Sequence, residues 1–156
     1  MSGTGLSGSG QKDAHDVWSA VTGLYAAHGT GEVDGVDGRL DPEATMWHSE
    51  AEGLLRGKGD LDSLRAERAM RADGPQVTDY YAHDPVIDLS GHMAVVCYWL
   101  RVDYALAQDG TALSPELVRN TAVLRRSVAG WRIVHLHEEV RVAGGRPVAA
   151  DEAESS

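Results

Sequence analysis

The apolar positions near the start of the chain recur every three or four residues. This spacing over residues 13–28 predicts an amphipathic helix that begins at Asp13 and ends at His28–Gly29. The stripe that would face a core consists of Ala14, Val17, Trp18, Val21, Leu24 and Tyr25. A buried first helix is therefore the first element of the predicted fold.

The next part of the chain predicts shorter elements. Residues 29–43 are rich in glycine and hold at most one short helix, and residues 44–50 predict a short strand. Residues 60–71 predict a further helix, with Leu61 and Leu64 facing inward and the charged positions facing solvent.

From residue 77 onward the pattern changes to runs of β-branched and aromatic residues. The predicted strands are 77–89, 93–104, 118–126 and 131–139, and the short, Gly-ended connector before the last strand predicts a hairpin. The run MAVVCYWL is continuously apolar, which predicts burial on both faces and burial of Cys97. Helices followed by a long meander indicate an α+β fold in which a curved sheet wraps around the helices.

The last predicted strand carries the first sign of chemistry. Because side chains alternate across a strand, Trp131, Ile133, His135 and His137 are predicted to share one face, which is half-buried.

The first predicted strand adds a third histidine. Trp47 and His48 are neighbours and should point to opposite sides of the sheet. If His48 faces the interior, then Trp47 faces away from it.

The candidate catalytic residues are His48, His135 and His137. Imidazoles titrate near neutrality, so one can accept a proton while another donates, which suits proton abstraction beside a carbonyl, dehydration or aldol-type cyclisation. One alternative is that the histidines only satisfy buried polar groups. Another is a zinc site, but no carboxylate lies at a diagnostic spacing, so neither a metal nor another cofactor is expected.

Composition limits the class of protein. The 156 residues suit one domain, and the net charge of −10 disfavours nucleic acid or an anionic membrane as partners. A single cysteine excludes an intramolecular disulfide, and neither an 18-residue apolar run nor a secretory leader is present, so a cytoplasmic protein is expected. Residues 1–11 and the acidic residues 143–156 are predicted to be disordered, which leaves one domain at 12–142.

Three segments resemble one known superfamily. They are DPEATMWHSEAEGLLRG, HDPVIDLSGHMAVVCYWLRVDY and RNTAVLRRSVAGWRIVHLH, and they span about two thirds of the chain. In residue types and turn positions they are similar to the nuclear-transport-factor-2-like superfamily, which includes ketosteroid isomerase and the SnoaL-like polyketide cyclases. The closest similarity is to the branch of the calcium/calmodulin-dependent kinase II association domain, including members encoded in enediyne clusters. The resemblance implies a cystatin-like α+β roll, a cone whose mouth holds the helices above a pocket. Because members commonly dimerise through the outer face of the sheet, it also implies a homodimer, in which outward-facing tryptophans such as Trp47 or Trp99 would be covered.

The resemblance also implies roles for individual residues. His48 stands where the isomerase has its general base, while Ala122 stands where it has its second acid and cannot act as one. Trp18 or Tyr25 could supply that enzyme's tyrosine donor, and Arg101 could replace a pocket arginine of the kinase branch. Two of the three isomerase groups are thus changed, which argues against steroid isomerisation. The candidate ligand-binding residues are Trp18, Tyr25, Tyr98, Asn120 and Arg101.

The candidate residues and the resemblance together lead to two hypotheses for the function. The first is an enzyme or accessory protein of secondary-metabolite (polyketide or antibiotic) biosynthesis that acts on a small hydrophobic, carbonyl-bearing ligand as an isomerase, cyclase or dehydratase. The alternative is a non-catalytic homodimerisation or ligand-sensing module. Cavity volume separates them, because about 300 Å³ or more of mostly apolar cavity favours small-molecule work.

Overall fold

Two helices and six strands make up the part of the chain that the structure describes. The structure is a computed structural model and describes residues 8–29, 38–70 and 74–148. The elements are α1 (Gly8–Gly29), β1 (Leu40–Trp47), β2 (Leu55–Arg56), α2 (Gly57–Met70), β3 (Val77–Ser90), β4 (Met93–Tyr104), β5 (Glu116–Ser127) and β6 (Gly130–Val142). The strands form one sheet in the order β2-β1-β6-β5-β4-β3. The β1–β6 pair is parallel and all other pairs are antiparallel, so the predicted α+β architecture with a mixed sheet is confirmed.

Both helices begin earlier in the chain than predicted. Helix α1 begins at Gly8, so Asp13, where the helix was predicted to begin, lies inside it, and its carboxylate pairs with Arg126 of β5. Helix α2 begins at Gly57, and Asp60 accepts a hydrogen bond from the Arg56 amide at 2.7 Å, which closes the first turn from within. Neither helix is long and apolar enough, within the described residues, to cross a membrane.

The end of the described chain packs against the sheet. Residues 143–148 continue beyond the predicted boundary at 142 and return to residues 112–114, with a β-bridge between Leu113 and Pro147. The Ser114 amide donates to the Arg146 carbonyl and the Gly145 amide to the Ser114 carbonyl, both at 2.8 Å. Residues 1–7 and 149–156, where disorder is predicted, and most of the predicted short helix lie outside the described residues.

The core lies between α1 and one face of the sheet. Val17 and Val21 of the predicted apolar stripe are fully buried and Leu24 is 6% exposed, which confirms the helical face. On β4 every second residue points toward this core, and these residues are Ala94, Val96, Tyr98, Leu100 and Val102.

The other face of β4 is open in the single chain. The prediction that this strand is buried on both sides is wrong, because a helix covers only the inner face and Val95 and Arg101 are exposed on the outer one. Cys97, predicted to be buried, is likewise exposed because it belongs to the outer set of positions. The sheet therefore has a covered inner face and an uncovered outer face.

A β-bulge in β6 determines which of its side chains reach the interior. Opposite β5, Val123 pairs with His135 and the next residue, Leu124, pairs with Ile133. One residue of β6, Val134, therefore has no partner of its own, and the alternation of side chains restarts after it.

The bulge reverses the predicted placement of the histidines. Trp131 is buried with the core, and after the bulge Leu136 and Glu138 take the inner positions. His135 and His137 point to the outer face, so the prediction that they share a face with Trp131 is wrong. Strict alternation fails because the strand holds one more residue than its partner across that stretch.

Candidate functional site

A cavity of about 570 Å³ lies on the inner side of the sheet, lined by residues of both helices and of five strands. Most of its wall is apolar, contributed by Leu24, Leu40, Met46, Leu61, Leu100, Val102, Val118 and Leu136. The side chains that can ionise or donate are Tyr25, His48, Glu50, Arg65, Tyr80, Tyr104, Glu116 and Glu138. A mostly apolar cavity of this size with a few polar groups is typical of small-molecule sites.

Two enclosed ionisable groups of this cavity are His48 and Glu138. Their side chains are only 8% and 16% exposed, and His48 Nε2 lies 3.8 Å from Glu138 Oε2. They meet because β1 runs parallel to β6 and Trp47 pairs with His137, so the residue after each projects into the cavity. The predicted division of Trp47 and His48 between opposite faces holds, since Trp47 is 44% exposed on the outer side.

The hydrogen bonds of His48 set which of its nitrogens carries the proton. The Glu50 amide donates to Nδ1 at 3.0 Å, so the lone pair of that nitrogen is occupied. In the neutral imidazole the proton must then reside on Nε2, which faces the Glu138 carboxylate. At 3.8 Å the two groups lie beyond hydrogen-bonding distance of each other, so the contact between them is electrostatic.

A buried group of hydrogen-bonding side chains lies behind the cavity wall. The hydroxyls of Tyr25 and Tyr98 are 2.6 Å apart, and Asn120 Nδ2 donates to the Tyr25 hydroxyl at 3.1 Å. Trp18 contacts the Tyr98 ring edge-on at 5.7 Å between centroids. Burial raises the pKa of both phenols well above the usual value, and the nearby Glu138 carboxylate raises it further, so both stay protonated at neutral pH.

A second carboxylate, Glu116, lies half-buried elsewhere in the cavity wall. Burial raises the pKa of its carboxyl group, a hydrogen bond from the Gly144 amide opposes this, and the Glu50 carboxylate adds to the rise. The pKa of Tyr104 is raised by burial and then by Glu116, with Tyr80 and Glu50 contributing. These groups therefore act on one another across the cavity.

Six of the eight predicted site residues do not line this cavity, and three of these six lie on the outer side of the sheet. His135 Nδ1 is 2.8 Å from the Thr45 hydroxyl across the outer face of the β1–β6 pair. His137 lies in a shallower outer concavity of about 410 Å³. Arg101 is also outside, where it bonds Asp103 at 2.8 Å. Of the predicted residues, His48 and Tyr25 line the cavity, and Trp18, Tyr98 and Asn120 lie behind Tyr25.

Glu138 is the group that the sequence analysis missed. Period-2 alternation from Trp131 places it on the outer face, yet Ile133 and Leu136 are three residues apart and both are buried. An apolar residue between two histidines, out of phase with the preceding apolar positions, is the signal of a bulge that would have placed Glu138 inside. Among the described residues, no group of three His, Cys, Asp or Glu side chains is arranged to hold a metal ion.

The SnoaL-like domain family matches residues 17–141, and the chain belongs to this family. The predicted place in the nuclear-transport-factor-2-like superfamily is confirmed by this match and by solved structures. The association domain of C. elegans CaMKII is 20% identical, with 85% of this chain and 99% of that chain covered at a TM-score of 0.69. The CaMKII hub of S. rosetta is 24% identical, with 81% and 95% covered at a TM-score of 0.67.

A third similar structure comes from Streptomyces avermitilis. It is a candidate dehydratase of the NTF2-like family, 22% identical, with 90% of this chain and 99% of that chain covered at a TM-score of 0.65. At these identities the structures show a shared fold. No curated protein matches the chain.

Proposed function

We propose that the protein binds a small, hydrophobic, carbonyl-bearing molecule in the inner cavity and catalyses proton transfer next to the carbonyl. The observation that carries the proposal is the enclosed His48–Glu138 pair, 3.8 Å apart, in a mostly apolar cavity of about 570 Å³. This volume exceeds the threshold of about 300 Å³ that separates small-molecule sites from water-sized voids. Isomerisation, cyclisation and dehydration all begin with such a proton transfer.

The hydrogen bonds assign a role to each group. The Glu138 carboxylate removes the α-proton, the C–H electron pair forms the carbon–carbon double bond, and the negative charge moves to the carbonyl oxygen. His48 donates to that oxygen from Nε2, because Nδ1 is already occupied by the Glu50 amide. The proton on Glu138 then returns to the substrate at the same or another carbon.

Tyr25 supplies a second donor. Its oxygen accepts from Asn120 and lies 2.6 Å from the Tyr98 hydroxyl. When Tyr98 donates in that contact, the Tyr25 proton is directed to the cavity, where it bonds the same oxygen. The sequence-based assignment of catalysis to three histidines thus narrows to His48, with a carboxylate in place of the other two.

Solvent exchange of the α-protons of a small aryl ketone tests this chemistry. β-Tetralone is incubated in D₂O with the protein, and loss of the α-proton signal is followed by proton NMR. We expect faster exchange with the wild type than with buffer, and a loss of about 10²- to 10³-fold of the acceleration in Glu138→Gln. His48→Gln should lose less, since it replaces the imidazole donor by an amide donor with a different geometry and leaves the base.

The matched controls are Glu139→Gln and His137→Gln, the same substitutions at the next position or on the opposite face. Both variants should retain the wild-type acceleration, because these side chains are exposed on the outer side. An acceleration that survives Glu138→Gln, or that disappears in His137→Gln, contradicts the assignment.

We also propose that two copies associate through the outer face of the sheet. Trp47, Val86 and Val95 are 44%, 69% and 38% exposed there, and leaving such apolar side chains in water is unfavourable. The hub and association domains among the similar structures are named for assembly, which supports the proposal. Association alone, with the cavity as a ligand sensor, is the alternative to catalysis.

Light scattering coupled to gel filtration tests the association. The wild type should elute as a dimer and Trp47→Glu as a monomer, while Val128→Glu at the fully exposed β5–β6 turn should remain dimeric. A wild-type monomer, or a dimer unaffected by Trp47→Glu, contradicts the outer-face interface.

The metabolic setting is a further part of the proposal. Membership in the SnoaL-like family and similarity to a candidate dehydratase support a role in cytoplasmic secondary-metabolite biosynthesis. Genes for polyketide or related assembly enzymes are expected beside the gene for this chain, and a neighbourhood of unrelated housekeeping genes would contradict this setting.

A further inference from the structure

We propose that the ligand of the inner cavity carries a cationic ammonium group, which binds to the Glu116 carboxylate and to the rings of Tyr104 and Tyr80. This inference rests on the proposed function, because it describes the same cavity, and it adds the charge and chemical class of the ligand. The carbonyl end would lie at His48 and Glu138 and the ammonium end at Glu116.

The first support is that the Glu116 carboxylate is held in place by the backbone. The Gly144 amide lies close enough to the half-buried Glu116 carboxyl group, at the start of β5, to lower its pKa. Gly144 itself packs tightly against the same strand, since a Cβ there would lie 2.4 Å from the Glu116 nitrogen and 2.6 Å from the Pro115 carbonyl carbon. The position of the carboxylate therefore depends on the returning C-terminal segment and not on a mobile surface side chain.

The second support is that the charge at Glu116 is only partly compensated. Burial disfavours its ionised form, and the charged side chain that acts on it most is another carboxylate, Glu50. One amide hydrogen bond offsets part of this cost. A bound cation would reduce both the burial cost and the repulsion, so this part of the cavity favours positive charge.

The third support is the aromatic surface beside the carboxylate. Tyr104 and Tyr80 both line the cavity, and the Tyr104 hydroxyl is close enough to Glu116 and Tyr80 for both to affect it. Ammonium groups bind favourably over tyrosine rings, and more strongly where water is excluded. An aromatic wall next to a fixed carboxylate is therefore suited to a substituted ammonium.

The charges of the residues that line the cavity also favour a cationic ligand. The described lining residues include three glutamates, one arginine (Arg65) and one histidine (His48). A carboxylate or phosphate ligand would meet net negative charge in this cavity, whereas an amine would be attracted.

Three probes that share a phenethyl group and differ in charge test the inference. They are phenethyltrimethylammonium, the neutral isostere neohexylbenzene and the anion hydrocinnamate. Binding to the full chain is measured by NMR titration. We expect the cation to bind at least about tenfold more tightly than the other two, and Glu116→Gln to remove most of that preference.

Two further variants locate the cation. Tyr104→Leu should weaken binding of the cation about two- to fivefold relative to the neutral probe, and it serves as a second test should Glu116→Gln fold poorly. The matched control Glu139→Gln, an exposed carboxylate on the outer face, should leave all three affinities unchanged. Circular dichroism verifies that each variant is folded.

The outcomes separate this inference from the proposed chemistry. Equal affinity for the three probes, tighter binding of the anion, or no binding of any probe overturns the ammonium site, whatever the result of the ketone exchange. Loss of the preference in Glu138→Gln but not in Glu116→Gln also overturns it, because the cation would then lie at the other carboxylate. A preference for the cation that depends on Glu116, together with exchange that is insensitive to Glu138→Gln, supports the ammonium site and contradicts the catalytic proposal.

Discussion

Glu138 and Glu139 are consecutive and chemically identical, yet they lie on opposite faces of β6. Glu139 is exposed and bonds the guanidinium groups of Arg119 at 2.8 Å and Arg141 at 3.2 Å. The hydrogen bond from Arg119, followed by that from Arg141, lowers the pKa of its carboxyl group. Glu138 instead faces an apolar cavity with an imidazole as neighbour.

The difference between these two glutamates shows that the two faces of the sheet are different chemical environments. On the outer face, charged groups neutralise one another in water, and their interactions contribute little. On the inner face, polar groups are few, enclosed and joined by directed hydrogen bonds, so each remains able to act on a ligand. Residue type alone does not tell which face a glutamate of β6 occupies. The bulge at Val134 determines it, because the alternation of side chains restarts there.

The largest expected effect concerns folding and compares neighbouring positions on the two faces. Leu136 is 2% exposed on the inner face, so Leu136→Ala should lower the free energy of unfolding by about 2–5 kcal/mol. His137→Ala, on the outer face, should change it by less than about 0.5 kcal/mol. Urea denaturation measures both. Similar losses in the two variants would mean that the β6 register is not the one described.

A smaller effect is expected for the buried hydrogen bonds. Asn120→Ala removes the donor to the Tyr25 hydroxyl and should lower the free energy of unfolding by about 1–3 kcal/mol. Thr121→Ala is its outer-face control, because the Thr121 hydroxyl has only a long contact of 3.9 Å with the Cys97 sulfur. Thermal unfolding of both variants measures the two losses of stability. A larger loss in Thr121→Ala than in Asn120→Ala would contradict this prediction.

The smallest expected effects are changes in stability with pH. They should have opposite signs for Glu116 on the inner face and Glu139 on the outer face. Burial raises the pKa of Glu116 in the folded chain, so its charged form lowers stability above that pKa, and the penalty disappears below the unfolded value. Glu116→Gln should therefore be more stable than the wild type at neutral pH and lose that gain in acid.

Glu139→Gln should behave in the opposite way. Its hydrogen bonds with Arg119 and Arg141 lower the pKa of Glu139, so this carboxylate adds stability above the unfolded value and loses it as the pH falls through the folded one. The variant should be slightly less stable at neutral pH and equal to the wild type in acid. Unfolding midpoints across this pH range measure both variants, and shifts of the same sign would contradict the comparison.

Much of the fold can be predicted from the sequence because hydrophobic periodicity reports local geometry. The buried stripe of α1, the limits of β4 at residues 93 and 104, and the β5–β6 hairpin all follow from spacing and turn residues. The apolar run of β4 was misleading, since a strand rich in Val and Trp can leave one face open in a single chain.

The candidate site could be predicted only in part. His48 and Tyr25 follow from the elements that carry them, but Glu138 depends on the single additional residue in β6. Whether β6 contains a bulge depends on how it pairs with its hairpin neighbour β5 and with β1, which is distant in sequence. Local spacing does not report this pairing. Glu116 likewise becomes part of the cavity wall because residues 143–148 return to β5, which no local pattern reveals.

The most direct test of the inner face as the reactive one is a crystal structure with β-naphthol, a stable analogue of the enol of β-tetralone. We expect its oxygen within hydrogen-bonding distance of His48 Nε2 and its rings against Leu136 and Leu100. A naphthol that binds in the outer concavity beside His137, or that turns its oxygen away from His48, would contradict this assignment.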